Sequence, residues 1–207
     1  MGHTEIAKKL LAANADVNLQ ASDTGLTALM VACQKGHAEV VPTLIAANAD
    51  VNQANSLGGT PLYLACQNGH IEVIAKLLAA NANVDQAANN GGTPLYIACE
   101  KGHTEIVATL IAANADVNQA TNEGATPLYI ACAKGHAEVV AKLLAANADV
   151  NQDKANGATA LFIACQKGHT EVVTTLLAAN APVNQARDNG ATPLYIACWS
   201  GHAEIVT

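Results

Sequence analysis

Apolar residues in this chain fall into two kinds of short cluster, parted by polar runs. Between Ala115 and Asn147, Leu128-Tyr129-Ile130-Ala131-Cys132 is followed by Val139, Val140, Leu143 and Leu144. The second set lies at i, i+1, i+4 and i+5, which is one stripe of a helix. Thr126-Pro127 predicts the start of a first helix, with Thr as N-cap and Pro at the first helical position. Gly135 predicts its end. His136-Ala137-Glu138 opens a second helix, with Glu138 where the positive end of the helix dipole favours a carboxylate. Asn147 closes it, because Asn tolerates the left-handed backbone a helix end requires. The run Ala115–Ala125 is polar and suited to tight turns. The pattern is therefore turn, short helix, short helix. Neither helix can stand alone, since isolated helices below about 12–15 residues are marginal in water.

The same unit recurs along the whole chain. Gly-His stands at Gly2-His3, Gly36-His37, Gly69-His70, Gly102-His103, Gly135-His136, Gly168-His169 and Gly201-His202. Cys33, Cys66, Cys99, Cys132, Cys165 and Cys198 follow at steps of 33. The one longer Gly-His step, 34, has its extra residue between Val17 and Thr27, a polar segment that reads as a surface loop. Such a period signals a stacked array whose stability comes from neighbouring units. Residues 1–207 are expected to be a single array. It divides into a partial unit 1–14, full units 15–48, 49–81, 82–114, 115–147 and 148–180, and a truncated unit 181–207. Pro42 falls near the fifth position of its helix, which predicts a local distortion. Both ends are internal in type, as in a segment of a longer array. The chain opens into a second helix (Thr4 to Ala13) and stops at Ile205-Val206-Thr207 inside another. Head-to-tail self-association of these unfinished ends, a heterologous contact that can grow filaments, is the alternative.

The order TPLYIAC, GH-x-E-VV, LL and ADVN resembles the ankyrin repeat, over essentially the entire chain. The resemblance implies an all-α repeat fold, a solenoid of stacked helix–turn–helix units with β-hairpin fingers. It also implies a protein partner, held on the concave face made by the fingers and the first helices. The sequence departs from the family pattern in three places. Met30, Tyr63, Tyr96, Tyr129, Phe162 and Tyr195 stand where the family usually has His, so that residue's polar bridge is missing or is made by a Tyr hydroxyl. Asn14, Asn48, Asn81, Asn114, Asn147 and Asn180 replace the usual Gly after the second helix. Asn55, Ala88, Thr121, Lys154 and Arg187 replace the common finger Asp.

Composition narrows the function classes. The chain is 51% hydrophobic, 13% charged and carries a net charge of −7, so it is not of the disordered type. No block of Lys or Arg offers a phosphate-backbone footprint, so no nucleic-acid partner is expected. Apolar runs are too short for membrane insertion. Met1-Gly2-His3-Thr4-Glu5 does not read as a secretory leader, no Asn-x-Ser/Thr sequon occurs, and the evenly spaced thiols are not expected to meet as disulfides along a translated stack. This points to an intracellular, reducing location, the cytoplasm.

Catalysis is not expected. No GxSxG, HExxH or phosphate-binding loop occurs, and no cofactor or metal is expected. The His could be read as a metal or pH ladder, but each occupies the same turn, where it is expected to bond locally. The repeated Glu read as helix-dipole partners. Function is expected where the units differ. One such set is the finger tips: Asn55, Ser56, Leu57; Ala88, Asn89, Asn90; Thr121, Asn122, Glu123; Lys154, Ala155, Asn156; Arg187, Asp188. The other follows each Cys: Gln67, Glu100, Lys101, Lys134, Gln166 and Trp199. Trp199, the single Trp, is either a binding anchor or a cover for the end of the stack. A structural spacer, a self-associating scaffold and an engineered, consensus-like array without a ligand are the alternatives to a binding module.

Overall fold

The computed structural model describes residues 2–206. Met1 and Thr207, the outermost residues of the expected partial units, lie outside that range. Helix α1 (Gly2–Ala12) is followed by six helix pairs. These are α2 (Ala28–Lys35) with α3 (Val41–Ala46), α4 (Pro61–Asn68) with α5 (Ile71–Ala79), and α6 (Pro94–Lys101) with α7 (Thr104–Ala112). Then come α8 (Pro127–Lys134) with α9 (Ala137–Ala145), α10 (Ala160–Lys167) with α11 (Thr170–Ala178), and α12 (Pro193–Trp199) with α13 (Ala203–Val206). Each even-numbered helix packs on the even-numbered helices before and after it, and the odd-numbered helices form a second row. The architecture is an all-α solenoid.

Local chemistry fixes each unit. The hydroxyls of Thr27, Thr60, Thr93, Thr126, Thr159 and Thr192 accept the backbone N–H three residues on, at 3.0–3.3 Å. Each thus satisfies one of the donors that a helix start leaves free. Gly36 and its equivalents end the first helices with φ between 73° and 82°. The six Asn after the second helices sit at φ 59–63°, so Asn does fill the left-handed position. Pro42 shortens its helix: α3 has six residues where α5, α7, α9 and α11 have nine. Without an N–H at Pro42, the chain from Ala38 to Val40 forms a turn, and regular bonding resumes with Leu44 N–H to Val40 O at 3.2 Å.

The core is a repeated layer. Leu29, Leu62, Leu95, Leu128 and Leu161, with Cys33, Cys66, Cys99, Cys132 and Cys165, are buried between successive first helices. A fully buried Leu contributes about 1.5–3 kcal/mol, so a few per unit outweigh the capping bonds. Small Ala65, Ala98, Ala131 and Ala164 let the first helices approach. A polar ladder runs beside this core. Asn18, Asn52, Asp85 and Asn118 each accept, through Oδ1, a backbone N–H of the next unit, from Asp50, Asn83, Asp116 and Asp149, at 2.8–3.0 Å.

All six cysteines are free thiols, five of them buried and Cys198 exposed on α12, which has a first-helix neighbour on one side only. Burial pushes the Cys33 thiol up to about 12 and Cys165 up to about 11, and raises Cys66, Cys99 and Cys132 as well. In the unfolded chain the same thiols ionise near about 8.5. Above that pH the unfolded state loses protons first, so stability falls as pH rises, by at most about 1.4 kcal/mol per pH unit per thiol. The denaturation midpoint should therefore be flat to about pH 8 and drop steadily above about pH 9. A thiol-reactive dye should label Cys198 promptly and the other five only as the chain unfolds. Prompt labelling of all six would contradict this packing.

Candidate binding groove

The segments between units project as fingers. Each is a hairpin reduced to its turn, and no strand forms among the described residues. Asn55, Ala88, Thr121, Lys154 and Arg187 each donate a backbone N–H across the turn, to Gly59, Gly92, Ala125, Ala158 and Ala191, at 2.9–3.1 Å. Successive fingers are also tied together. Ser56 N–H reaches Thr24 O, Asn89 N–H reaches Leu57 O, Asn122 N–H reaches Asn90 O, and Asp188 N–H reaches Asn156 O, at 3.0–3.3 Å. The side-chain amides of Asn89 and Asn122 add rungs, to Ser56 O at 3.1 Å and Asn89 O at 2.9 Å.

Fingers and first helices face one another across a groove. Asn55, Leu57, Ala88, Asn89 and Asn90 meet Tyr63, Leu64 and Gln67 around a hollow of about 280 Å³. A neighbouring hollow of about 410 Å³ shares Asn55, Leu57, Leu64 and Gln67 and extends past Ser56 to Asp23 and Gln34. Leu57 is 76% exposed, an apolar tip standing in solvent between the two.

Farther along, the predicted residues engage one another. Lys154 pairs with Glu123 at 3.0 Å and its ammonium lies 5.5 Å from the Tyr129 ring centre. Lys134 meets Glu100 at 3.5 Å. The Arg187 guanidinium lies 5.2 Å from the Phe162 ring centre, and its buried Nε has no acceptor. Thr121 Oγ1 accepts Ala125 N–H at 3.1 Å, and Asn156 Oδ1 accepts Ala158 N–H at 3.2 Å. Ala155 backs onto Gly124 of the preceding finger. Lys101 is exposed and Gln166 half-buried. Trp199 is 77% exposed and stacks on Tyr195 with ring centres 6.2 Å apart. It therefore leaves Leu194 and Cys198 of α12 uncovered.

The aromatic row was singled out in the sequence only as a departure from the family pattern, yet it floors the groove. Burial raises the Tyr96 phenol to about 12, with Glu100 and Glu123 adding to it. Tyr63 is raised by burial and then by Glu100. At Tyr129 burial again dominates, while Lys154 and Arg187 pull the other way. Glu123 also raises Tyr129, so groups of both signs flank that ring, whereas Glu100 alone acts on Tyr63.

A family model for ankyrin repeats matches in three copies, over residues 1–88, 74–154 and 142–207. The chain belongs to the ankyrin repeat family. Ankyrin repeats are generally protein-interaction modules and generally non-catalytic. No curated protein sequence matches the chain. Among the described residues of this ankyrin array, no three His, Cys, Asp or Glu side chains gather as a metal site would require, and no helix is long and apolar enough to cross a membrane.

The histidines correct one expectation. In four of them the ring Nε2 bonds outside its own turn. His70, His136, His169 and His202 each place Nε2 3.1–3.3 Å from the carbonyl oxygen of Gln34, Glu100, Ala133 and Gln166, respectively, in the preceding ankyrin unit. The carbonyls end the preceding first helix, where partners are lacking. The ring also lies beneath that unit's Gly, so a Cβ on Gly102 would sit 2.7 Å from His136. Gly-His is thus one joint split between units. His136→Ala should cost about 1–3 kcal/mol, through the lost bond and packing. Gly102→Ala should also destabilise, through its φ of 73° and this clash. Removing the ring relieves the clash, so the double variant should cost at least about 0.5 kcal/mol less than the sum, by denaturant titration. Simple additivity would sink the joint.

Proposed function

We propose that the chain is a non-catalytic protein-binding module whose partner docks along the groove between the finger tips and the first helices. One observation carries this reading. Positions shared by all units serve mainly caps, core and inter-unit bonds, whereas the finger tips and the residues after each Cys differ between units and include Asn55, Leu57, Ala88, Asn90 and Gln67 of the groove wall. A groove held by inter-finger bonds is ordered before docking, so little conformational entropy is lost on binding. The free thiols suit a reducing, cytoplasmic setting.

A second reading is self-association through the ends of the stack. It is favoured by exposed Ile6 and Leu10 on α1 and exposed Leu194, Tyr195 and Trp199 on α12. The two are separated in one set of experiments. A partner isolated by crosslinking is tested against a chain whose tips 55–57, 88–90, 121–123 and 154–156 are replaced by Ala-Gly. Loss of binding with unchanged mass in light scattering supports the groove. Retained binding overturns it, and a mass that grows with concentration in both proteins favours self-association.

A further inference from the structure

The repeat supplies its own comparison series for the aromatic row. The residue 25 positions after each of Tyr63, Tyr96, Tyr129 and Phe162 belongs to the next finger, and in two units it is a cation standing over the ring. Lys154 does so at Tyr129, and Arg187 does so at Phe162. At Tyr96 the equivalent residue is Thr121 and at Tyr63 it is Ala88, the smallest of the four. A second difference opens the same place. Gly59 faces the Tyr63 ring, where its absent Cβ would lie 3.5 Å from Cδ1, and the corresponding residues before Thr126 and Thr159 are Ala125 and Ala158. Where two units are closed by a cation, this one has a hollow of about 280 Å³ with Tyr63 and Ala88 in its wall. That falls just below the roughly 300–1,000 Å³ of small-molecule sites and suits a single long side chain.

The charges agree with the missing group. Neither this hollow nor its neighbour is lined by Lys or Arg, and Asp23 stands in the wall of the neighbour. Glu100, which Lys134 meets at 3.5 Å on its other side, is the charge that acts on the Tyr63 phenol, and no cation acts on that phenol itself. A ring face of this kind attracts a cation most strongly when its surroundings are negative and partly dry.

We propose that the hollow above Tyr63 receives one Lys or Arg side chain from an extended, basic segment of a partner protein, seated as Lys154 is seated over Tyr129. The flanking residues of that segment run through the neighbouring hollow toward Asp23, with Leu57 between them. This rests on the groove being the docking face and adds the chemistry of the partner. The chain's own cations mark the place and the mode of binding, and Ala88 with Gly59 leaves the place open.

The test uses the full chain and a capped pentapeptide, Gly-Gly-Arg-Gly-Gly, beside its citrulline counterpart, which keeps shape and loses charge. Binding is read by NMR from the Tyr63 ring and the Asn55 and Asn90 amides. The Arg peptide should give saturable shifts there, with affinity about three- to tenfold above the citrulline peptide. Ala88→Lys should weaken Arg-peptide binding at least fivefold, because the chain then fills its own site. Ala141→Lys adds the same charge on the exposed face of α9 and should leave binding unchanged. Equal binding of the two peptides, unchanged binding in Ala88→Lys, or shifts that bypass Tyr63 would overturn the proposal. Such a result with partner binding still lost in the finger-swapped chain would reject this site and leave the groove standing.

Discussion

An eight-residue helix does not hold itself together in water, and every first helix here has seven or eight residues. The structure depends on what such a helix does instead, which is to bury Leu, Ala and Cys against the equivalent helix 33 residues away. Ala and Cys at the contact keep the approach close, and the buried Thr cap satisfies the helix start without water. Everything else along the stack follows the same translation. The Asn/Asp ladder, the His-to-carbonyl joints and the finger-to-finger bonds each cross from one unit to the next. They add direction and register to a contact whose strength is apolar.

That constraint separates the two kinds of position. A side chain that faces the neighbouring unit meets the same surroundings at every step, and its identity repeats. A side chain that faces the groove is less bound to the stack, although Asn89 and Asn122 still tie one finger to the next. There the units diverge, from Asn55-Ser56-Leu57 through Glu123 and Lys154 to Arg187-Asp188. The divergence has a direction. Toward the C-terminal end the groove satisfies itself, with Lys154 and Arg187 over its rings and Glu123 paired. Toward Tyr63 it offers a ring with no cation over it and an exposed Leu57.

Periodicity made the helices, their caps and the left-handed Asn legible from residues alone, because each is decided within about four residues of chain. Pro42 was legible for the same reason. The histidines were not: a turn motif seen in one unit gives no sign that its ring reaches a carbonyl 36 residues back. The finger and helix sets were named in the sequence, but not the division of labour within them. That Asn122 braces the fingers, Asn55 lines a hollow and Asn89 does both depends on inter-unit distances. A signal for the Tyr63 hollow did exist. Reading the units against one another in column shows Ala88 where others have Asn, Thr, Lys or Arg, and Gly59 and Gly92 where others have Leu or Ala, and only the stacked geometry brings Ala88 and Gly59 to the same ring.

The claim that units fold only by lying against each other is tested most directly by equilibrium unfolding of arrays shortened from within, by removing residues 82–114 and then 82–147. The account predicts that the denaturation midpoint and the steepness of the transition fall at each deletion, and that residues 82–114 made alone show no cooperative transition. A single unit that unfolds cooperatively, or a midpoint indifferent to the number of units, would contradict it.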